Sequence, residues 1–249
     1  MTAPLFVVDT QALEAGAAAG ELLLEGAEGR HAVSVRRLRA GEAVTLTDGV
    51  GTSAEGVVAA AEGKDQLHVT LGELSHEAEG DPRLVVVQAL PKGDRGELAV
   101  ETMTETGVDV IVPWAASRCV TQWKGPRGEK SLAKWRATAR EAGKQSRRRR
   151  FPEVRGLAST AELAPLLAQA ELAAVLHEEG SAPLATVALP SAGTVVLVVG
   201  PEGGVSEREL ALFAEAGAQP HRLGPSVLRT STAGTAAAAL LLGRSGRWS

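Results

Sequence analysis

The sequence predicts an α/β protein in two parts, a small β-barrel followed by a larger domain built on a parallel sheet. Three observations predict it. The first eighty or so residues hold short segments rich in Val, Leu and Thr, broken at Asp48-Gly49 and Glu62-Gly63, as short strands joined by turns read. From Leu84 onward, near-continuous apolar runs alternate with segments of helical spacing, the pattern of strands covered by helices on both faces. Two of those runs end in glycine-bearing loops placed just ahead of a helix.

The elements follow in order. Leu5–Val8, Ala43–Leu46, Ser53–Ala60 and Leu67–Leu71 read as strands of the barrel, with His31–Arg39 as a short helix. Ser75–Pro82 (SHEAEGDP) is polar, carries Gly and Pro, and reads as a linker. The expected division is therefore residues 1–77 and 78–249. Leu84–Leu90 and Val108–Pro113 are buried strands, with Asp94–Thr106 as the helix between them. Glu129–Lys144 is a helix with Leu132, Trp135 and Ala139 on one stripe and Lys or Arg on the rest. Ser159 and Glu162 have the spacing of a capping box and open another helix. Leu172–Leu176, Val195–Val199 and Pro220–Leu223 read as strands, and Ser206–Ala216 and Thr232–Leu242 as helices.

Composition removes several classes. One cysteine, Cys119, allows no intramolecular disulfide, and no His, Asp or Glu cluster has metal-ligand spacing. No apolar run is long enough to span a bilayer, and the N-terminus MTAPLFVVDT lacks a basic stretch followed by an apolar one. The expected location is the cytoplasm. With Phe, Trp and Tyr at 3%, stacking on many bases is not expected.

Charge is distributed unevenly. The whole chain carries −4. Between Arg118 and Arg155 stand thirteen Lys or Arg against three acids, which leaves thirteen bases and twenty-seven acids elsewhere. A concentrated basic stripe on an acidic body suits a phosphate-binding face. A solvated charged helix is the other reading, though such faces usually mix signs.

The chemistry concentrates at the two loops. In the first, Val195–Val199 runs into Gly200-Pro201-Glu202-Gly203-Gly204, and Ser206 with Glu209 caps the following helix. This is neither G-x-G-x-x-G nor a P-loop. Glu202 would repel a pyrophosphate and suits a ligand with positive charge, such as a sulfonium or an α-amine. The second loop, Leu223-Gly224-Pro225-Ser226-Val227-Leu228-Arg229, leads into a helix of small residues. In an open α/β sheet, ligands bind beyond the C-terminal ends of the strands, so the two loops can close on one ligand. Arg229 can stabilise an oxyanion or a phosphate, or pair with Glu202 or Glu207.

Several segments occur together in one order: Arg30-His31-Ala32-Val33 with Arg36-Arg37, Gln88-Ala89-Leu90-Pro91-Lys92-Gly93-Asp94-Arg95, Trp135 with Glu141 and Gln145-Ser146, Gly200–Gly204, and Leu223-Gly224-Pro225 with Leu228-Arg229-Thr230. Together they resemble the RsmE-type 16S rRNA uracil-N3 methyltransferases of the SPOUT superfamily, across essentially the whole chain. The resemblance implies an N-terminal PUA-like barrel that helps hold RNA and a C-terminal SPOUT α/β domain tied in a trefoil knot. It implies a homodimer acting on 16S rRNA or the small ribosomal subunit, with S-adenosyl-L-methionine as cofactor. The cofactor loops it implies are Leu176, His177 and Glu178; then Val199, Gly200, Pro201, Glu202, Gly203 and Gly204; then Leu223, Gly224, Pro225, Val227, Leu228, Thr230, Ser231 and Thr232. Arg36, Arg37, Lys92, Arg95, Arg118, Arg147, Arg148, Arg149 and Arg150 would face RNA, and Arg229 would be catalytic. The family commonly has Glu at the position of Ser231 and Lys near Thr102, so this chain lacks that carboxylate. The alternatives are methylation of another base or of a ribose 2′-oxygen, and a non-catalytic RNA-binding protein. His31 reads equally as an RNA contact or as barrel packing, His177 as cofactor-adjacent, Cys119 as a packed thiol and Trp135 as core.

Overall fold

The computed structural model describes residues 3–248, which fold as two compact units. The first contains residues up to Glu79 together with Gly143–Phe151; the second contains Gly80–Ala142 and the chain from Pro152. The expected division at residue 77 does not contain this excursion of Gly143–Phe151.

The barrel expected in the first unit is a five-stranded mixed sheet in the order β1-β3-β4-β5-β2. Its strands are β1 (Leu5–Val7), β2 (Glu21–Leu24), β3 (Ala43–Thr47), β4 (Thr52–Glu62) and β5 (Gln66–His76). Alternation works as polarity predicts: Leu22 and Leu24 of β2 point inward and Glu21 and Leu23 outward. Irregularities in the β4–β5 pairing, at Ala54/Gly56 and Val58/Ala60, let the long hairpin bend around Phe6, Leu13, Leu46, Val58, Leu67 and Val69. Helix α1 (Thr10–Ala19) is capped by Asp9, whose carboxylate accepts the Ala12 N–H at 2.8 Å, and stops at left-handed Gly20. A short α2 (Gly26–Arg30) continues into a π turn at His31–Val35. The expected helix His31–Arg39 ends there, and Arg37 has φ 57°. The His31 ring packs edge-on against Phe6 at 5.8 Å, which is the packing role. The expected linker also starts later, because Ser75 and His76 pair with Ser53 and Thr52 and extend β5.

Gly143–Phe151 is built into this unit by backbone and ion pairs. Phe151 N–H donates to Gly49 at 2.7 Å, and Arg149 C=O accepts from Gly51 N–H and Thr47 Oγ1, each at 3.1 Å. The Phe151 ring lies so close to Gly49 and Gly143 that a Cβ there would fall 2.8 and 2.4 Å from it. Lys144 Nζ meets Glu28 at 2.9 Å, with both side chains mostly buried. Arg149 pairs with Glu55 at 2.9 Å, and Arg150 donates to the Glu77 carbonyl at 2.8 Å. Arg149 and Arg150, expected to face RNA, both fasten this segment and stay partly exposed. Arg147 is exposed and Arg148 half-buried.

The second unit is a seven-stranded, wholly parallel sheet in the order β10-β12-β9-β11-β6-β7-β8. Its elements are β6 (Arg83–Ala89), α3 (Arg95–Thr106), β7 (Val110–Trp114), α4 (Gly125–Gln145), β8 (Glu153–Val154), α5 (Thr160–Ala168), β9 (Leu172–Leu176), β10 (Ala182–Pro183), β11 (Thr194–Val199), α6 (Glu207–Glu215), β12 (Gln219–Arg222) and α7 (Thr230–Arg244). Central strands are apolar on both faces. Leu84, Val86, Leu197 and Val199 pack under α3, α4 and α7, while Val85, Val87, Val196 and Val198 pack under α5 and α6. Trp135 is core, 2% exposed, on the first of these faces.

One expected outcome follows from the grafted segment. Phe151→Ala should lower the unfolding free energy by about 2 kcal/mol, below the range for a fully buried Phe because this one is half-buried. Urea titration checks this; an unchanged midpoint would show that the ring does not hold the segment.

Candidate active site

Register places three strand ends side by side. Val199 of β11 is opposite Leu176 of β9, and Leu176 is opposite His221 of β12. Because all three run parallel, the loops after them leave from one edge of the sheet. They line a cleft of about 640 Å³.

The Gly200–Gly204 loop forms one wall. Gly204 turns at φ 73°, its N–H donating to the Pro201 carbonyl at 2.9 Å. A Cβ on Gly200 would press Val205 Cγ2 at 2.8 Å, and one on Gly203 would press Arg118 Cβ at 3.1 Å. Arg118 Nη1 donates to the Gly203 carbonyl at 3.0 Å, and Glu202 Oε1 accepts the Lys92 N–H at 3.1 Å. Glu202 is thus tied to the loop after β6.

The far end of the Gly200–Gly204 loop is fixed through Glu209. Its carboxylate accepts from Ser206 N–H at 3.0 Å, Ser206 Oγ at 2.6 Å, Ser117 N–H at 2.7 Å, Ser117 Oγ at 2.9 Å and Thr160 Oγ1 at 3.2 Å. Burial alone pushes this carboxyl up, but the hydrogen bonds from Ser206 and Ser117 outweigh it and hold the group below its ordinary range. One side chain therefore joins the loop after β7 and the starts of α5 and α6.

The second wall is Leu223–Arg229. The buried Gln88 Nε2 donates to the Thr230 carbonyl at 3.3 Å, which seats the first turn of α7 beside β6. Arg229, the residue just before α7, lines the cleft. Among the described residues its guanidinium has no hydrogen-bond or ion-pair partner, so the alternative pairing with Glu202 or Glu207 is not made. The third wall is Leu176-His177-Glu178. His177 N–H donates to the His221 carbonyl at 3.0 Å, and His177 Nδ1 accepts the Glu179 N–H at 3.2 Å. When neutral, that ring therefore carries its proton on Nε2.

Fifteen of the seventeen expected cofactor-loop residues line this cleft, in all three loops. Ser231 and Thr232 do not. Ser231 is buried in the first turn of α7, and Thr232 Oγ1 donates back to the Arg229 carbonyl at 3.2 Å. Of the expected RNA-facing residues, Arg95 and Arg118 line the cleft, and Lys92 is exposed beside it. Arg36 and Arg37 are exposed in the first unit. Sequence reasoning missed Arg222, which lines the cleft from the last position of β12. Its signal was positional: it ends the strand beside Leu176. Cys119 is a packed thiol pushed up by burial.

Fold and site together define the class. A family model described as an RNA methyltransferase domain matches residues 79–242, and one described as an RNA methyltransferase PUA domain matches residues 24–72. The chain is 45% identical over its whole length to ribosomal RNA small subunit methyltransferase E of Mycobacterium bovis, covering 94% of that protein. It is 30% identical to the protein of the same name from Bacillus subtilis, over 84% of this chain and 85% of the relative. Its structure matches that of ribosomal RNA small subunit methyltransferase E from Neisseria gonorrhoeae bound to S-adenosyl methionine, with a TM-score of 0.82, 28% identity and 98% coverage of each chain. The chain belongs to the ribosomal RNA small subunit methyltransferase E family.

Glu209 yields a test of the scaffold. Its lowered pKa contributes stability that is present above the unfolded value, near 4.5, and is lost as pH falls through the lower folded value. Glu209→Gln should cost about 2 kcal/mol at neutral pH, since it leaves donors unpaired. The variant should also lose less stability than the parent between pH 4.5 and lower values. Parallel acid limbs in urea titrations at several pH values would contradict this.

Proposed function

We propose that this chain methylates N3 of a uracil in 16S ribosomal RNA of the small subunit, using S-adenosylmethionine. The observation that carries the reading is the single cleft in which the loops after β9, β11 and β12 meet beside the unpaired Arg229. Its volume of about 640 Å³ is typical of small-molecule sites, which span roughly 300–1,000 Å³. Leu176, Val199, Leu223 and Leu228 supply apolar surface for a purine and ribose, and Glu178 and Glu202 suit the positive charges of the amine and sulfonium.

S-adenosylmethionine supplies an electrophilic methyl on sulfur when bound. The remaining chemistry falls to the chain. Uracil N3 becomes nucleophilic only as its proton leaves, which puts negative charge on the flanking carbonyl oxygens. A guanidinium facing those oxygens favours the anion, and we assign that task to Arg229, which lines the cleft with no carboxylate paired to it. Transfer of that methyl to N3 would break the sulfur–methyl bond and leave a neutral thioether, with the N3 proton passing to solvent water. Position 231 takes no part in the proton's departure, since Ser231 lies outside the cleft.

The reading includes the trefoil knot, a homodimer and a cytoplasmic location. Support for the knot is the chain path: β12 lies beyond β9, yet α7, which follows it closely, packs on α3, β6 and β11. Support for the dimer is apolar surface near the cleft, with Val120 and Val227 exposed at 72% and 77%. Among the described residues no helix is long and apolar enough to cross a membrane.

Arg229→Ala should bind S-adenosylmethionine within about twofold of the parent by calorimetry. Its turnover should fall by roughly a hundredfold or more, the scale for loss of one oxyanion donor. Mass spectrometry of nucleosides from treated small-subunit RNA reads the product. Full turnover with normal cofactor binding would remove Arg229 from the chemistry, and a different methylated nucleoside would redirect the reading. If Arg36, Arg37, Lys92, Arg95 and Arg118 meet phosphates, the logarithm of RNA affinity should fall with the logarithm of salt, at a slope of about −3 to −5. A flat response would withdraw that role.

A further inference from the structure

A second, smaller cavity of about 170 Å³ shares a wall with the cleft. Arg95 faces the cleft, while Leu90, Pro91, Gly93, Gly96 and Glu97 line the smaller cavity. Thr121 Oγ1 closes that wall by donating to the Pro91 carbonyl at 2.7 Å. Trp123 and Trp135 meet there edge to face, with centroids 4.9 Å apart at 80°. Trp135 is 2% exposed, and among the described residues its indole N–H donates to nothing. Indole N–H groups inside proteins ordinarily have a partner; this one lies against Gly96, where a Cβ would come within 2.8 Å of Nε1, on the wall of the cavity. Gln122 and Arg127 also line it, and Lys92, Lys124 and Lys130, each next in sequence to a lining residue, are exposed.

The contents this cavity suits are narrow. Its volume equals that of about six waters at ~30 Å³ each, enough for one planar heterocycle. Indole surface, an indole N–H without a protein acceptor and the Gln122 amide in the lining fit a nucleobase, whose face stacks and whose carbonyl or ring nitrogen accepts. Arg127 in the lining suits a phosphate beside that base. We propose that this cavity takes the base next to the target uracil, stacked on Trp123 with an acceptor on Trp135 Nε1–H. This rests on the RNA-methylating reading above and adds to it a second point of substrate recognition.

The test uses the full chain with S-adenosylmethionine and short oligoribonucleotides centred on uridine, carrying 2-aminopurine on the 5′ or the 3′ side. The parent should quench one of the two probes. Trp123→Ala should abolish that quenching and weaken binding about tenfold, the scale of one lost stacking contact. Trp123→Phe should restore most of it. Ser131→Phe, which fills the cavity from α4 and leaves both indoles in place, should behave like Trp123→Ala. Cofactor affinity should stay within twofold throughout. Unchanged oligonucleotide affinity in both Trp123→Ala and Ser131→Phe, with ribosomal RNA still methylated, overturns the base site and leaves the methyltransferase reading standing. A parent that neither binds S-adenosylmethionine nor methylates ribosomal RNA overturns both. Variants that change from dimer to monomer on sedimentation show a second copy on this surface, and that also overturns the base assignment.

Discussion

The close seat of α7 on β6 and β11 is the constraint on which the cleft depends. The helix begins Thr-Ser-Thr-Ala-Gly-Thr and continues through four alanines before its first leucine. A Cβ on Gly234 would come within 2.9 Å of Met103 Sδ and 3.4 Å of Val199 Cγ2, so the approach needs a residue with no side chain. From β12 to β6 is three strand spacings, roughly 14 Å at ~4.8 Å each. The seven residues 223–229 span at most about 25 Å when fully extended. The connection must therefore cross close over the ends of β9 and β11. Small side chains in α7, a short connection and a crossing at the strand ends are one geometric fact. Together they deliver Arg229 to the place where Leu176 and Val199 end.

Electrostatics then sets what the cleft accepts. Four arginines, Arg95, Arg118, Arg222 and Arg229, share its lining with two carboxylates, Glu178 and Glu202. Arg118 is held by the Gly203 carbonyl and Glu202 by the Lys92 N–H. Arg229 is left open, so its charge is available to a ligand at little cost in broken contacts. A chain carrying −4 overall thus concentrates positive charge in this cleft. Glu209 supplies the rigidity behind this, because one buried carboxylate collects donors from three separate elements.

Much of the second unit was legible because its signals are local. Doubly covered strands read as apolar runs, and the capping boxes at Ser159 and Ser206 announced α5 and α6. The meeting of the glycine loops in one cleft was legible because parallel strands place their exits on one edge. The first unit was less legible. Helix α1 is Ala-rich and has no strong apolar stripe, and β5 runs through polar Ser75 and His76 because pairing with β4 outweighs composition. Long-range partners were invisible as well. Arg149 and Arg150 looked like a free basic run, yet Glu55 and the Glu77 carbonyl hold them. Ser231 is one residue from the cleft lining, but helical geometry turns it into the core.

The excursion of Gly143–Phe151 has a consequence for dissecting the molecule. The polypeptide passes between the two units three times: after Glu79, after Ala142 and after Phe151. A fragment ending at residue 79 would carry an empty slot at Gly49, where the Phe151 ring belongs, and would leave Glu28 without Lys144. The reciprocal fragment would keep a nine-residue stretch with nothing to grip. Excising the N-terminal module cleanly therefore calls for a permuted or grafted chain that carries the stretch along, because no single cut separates the units.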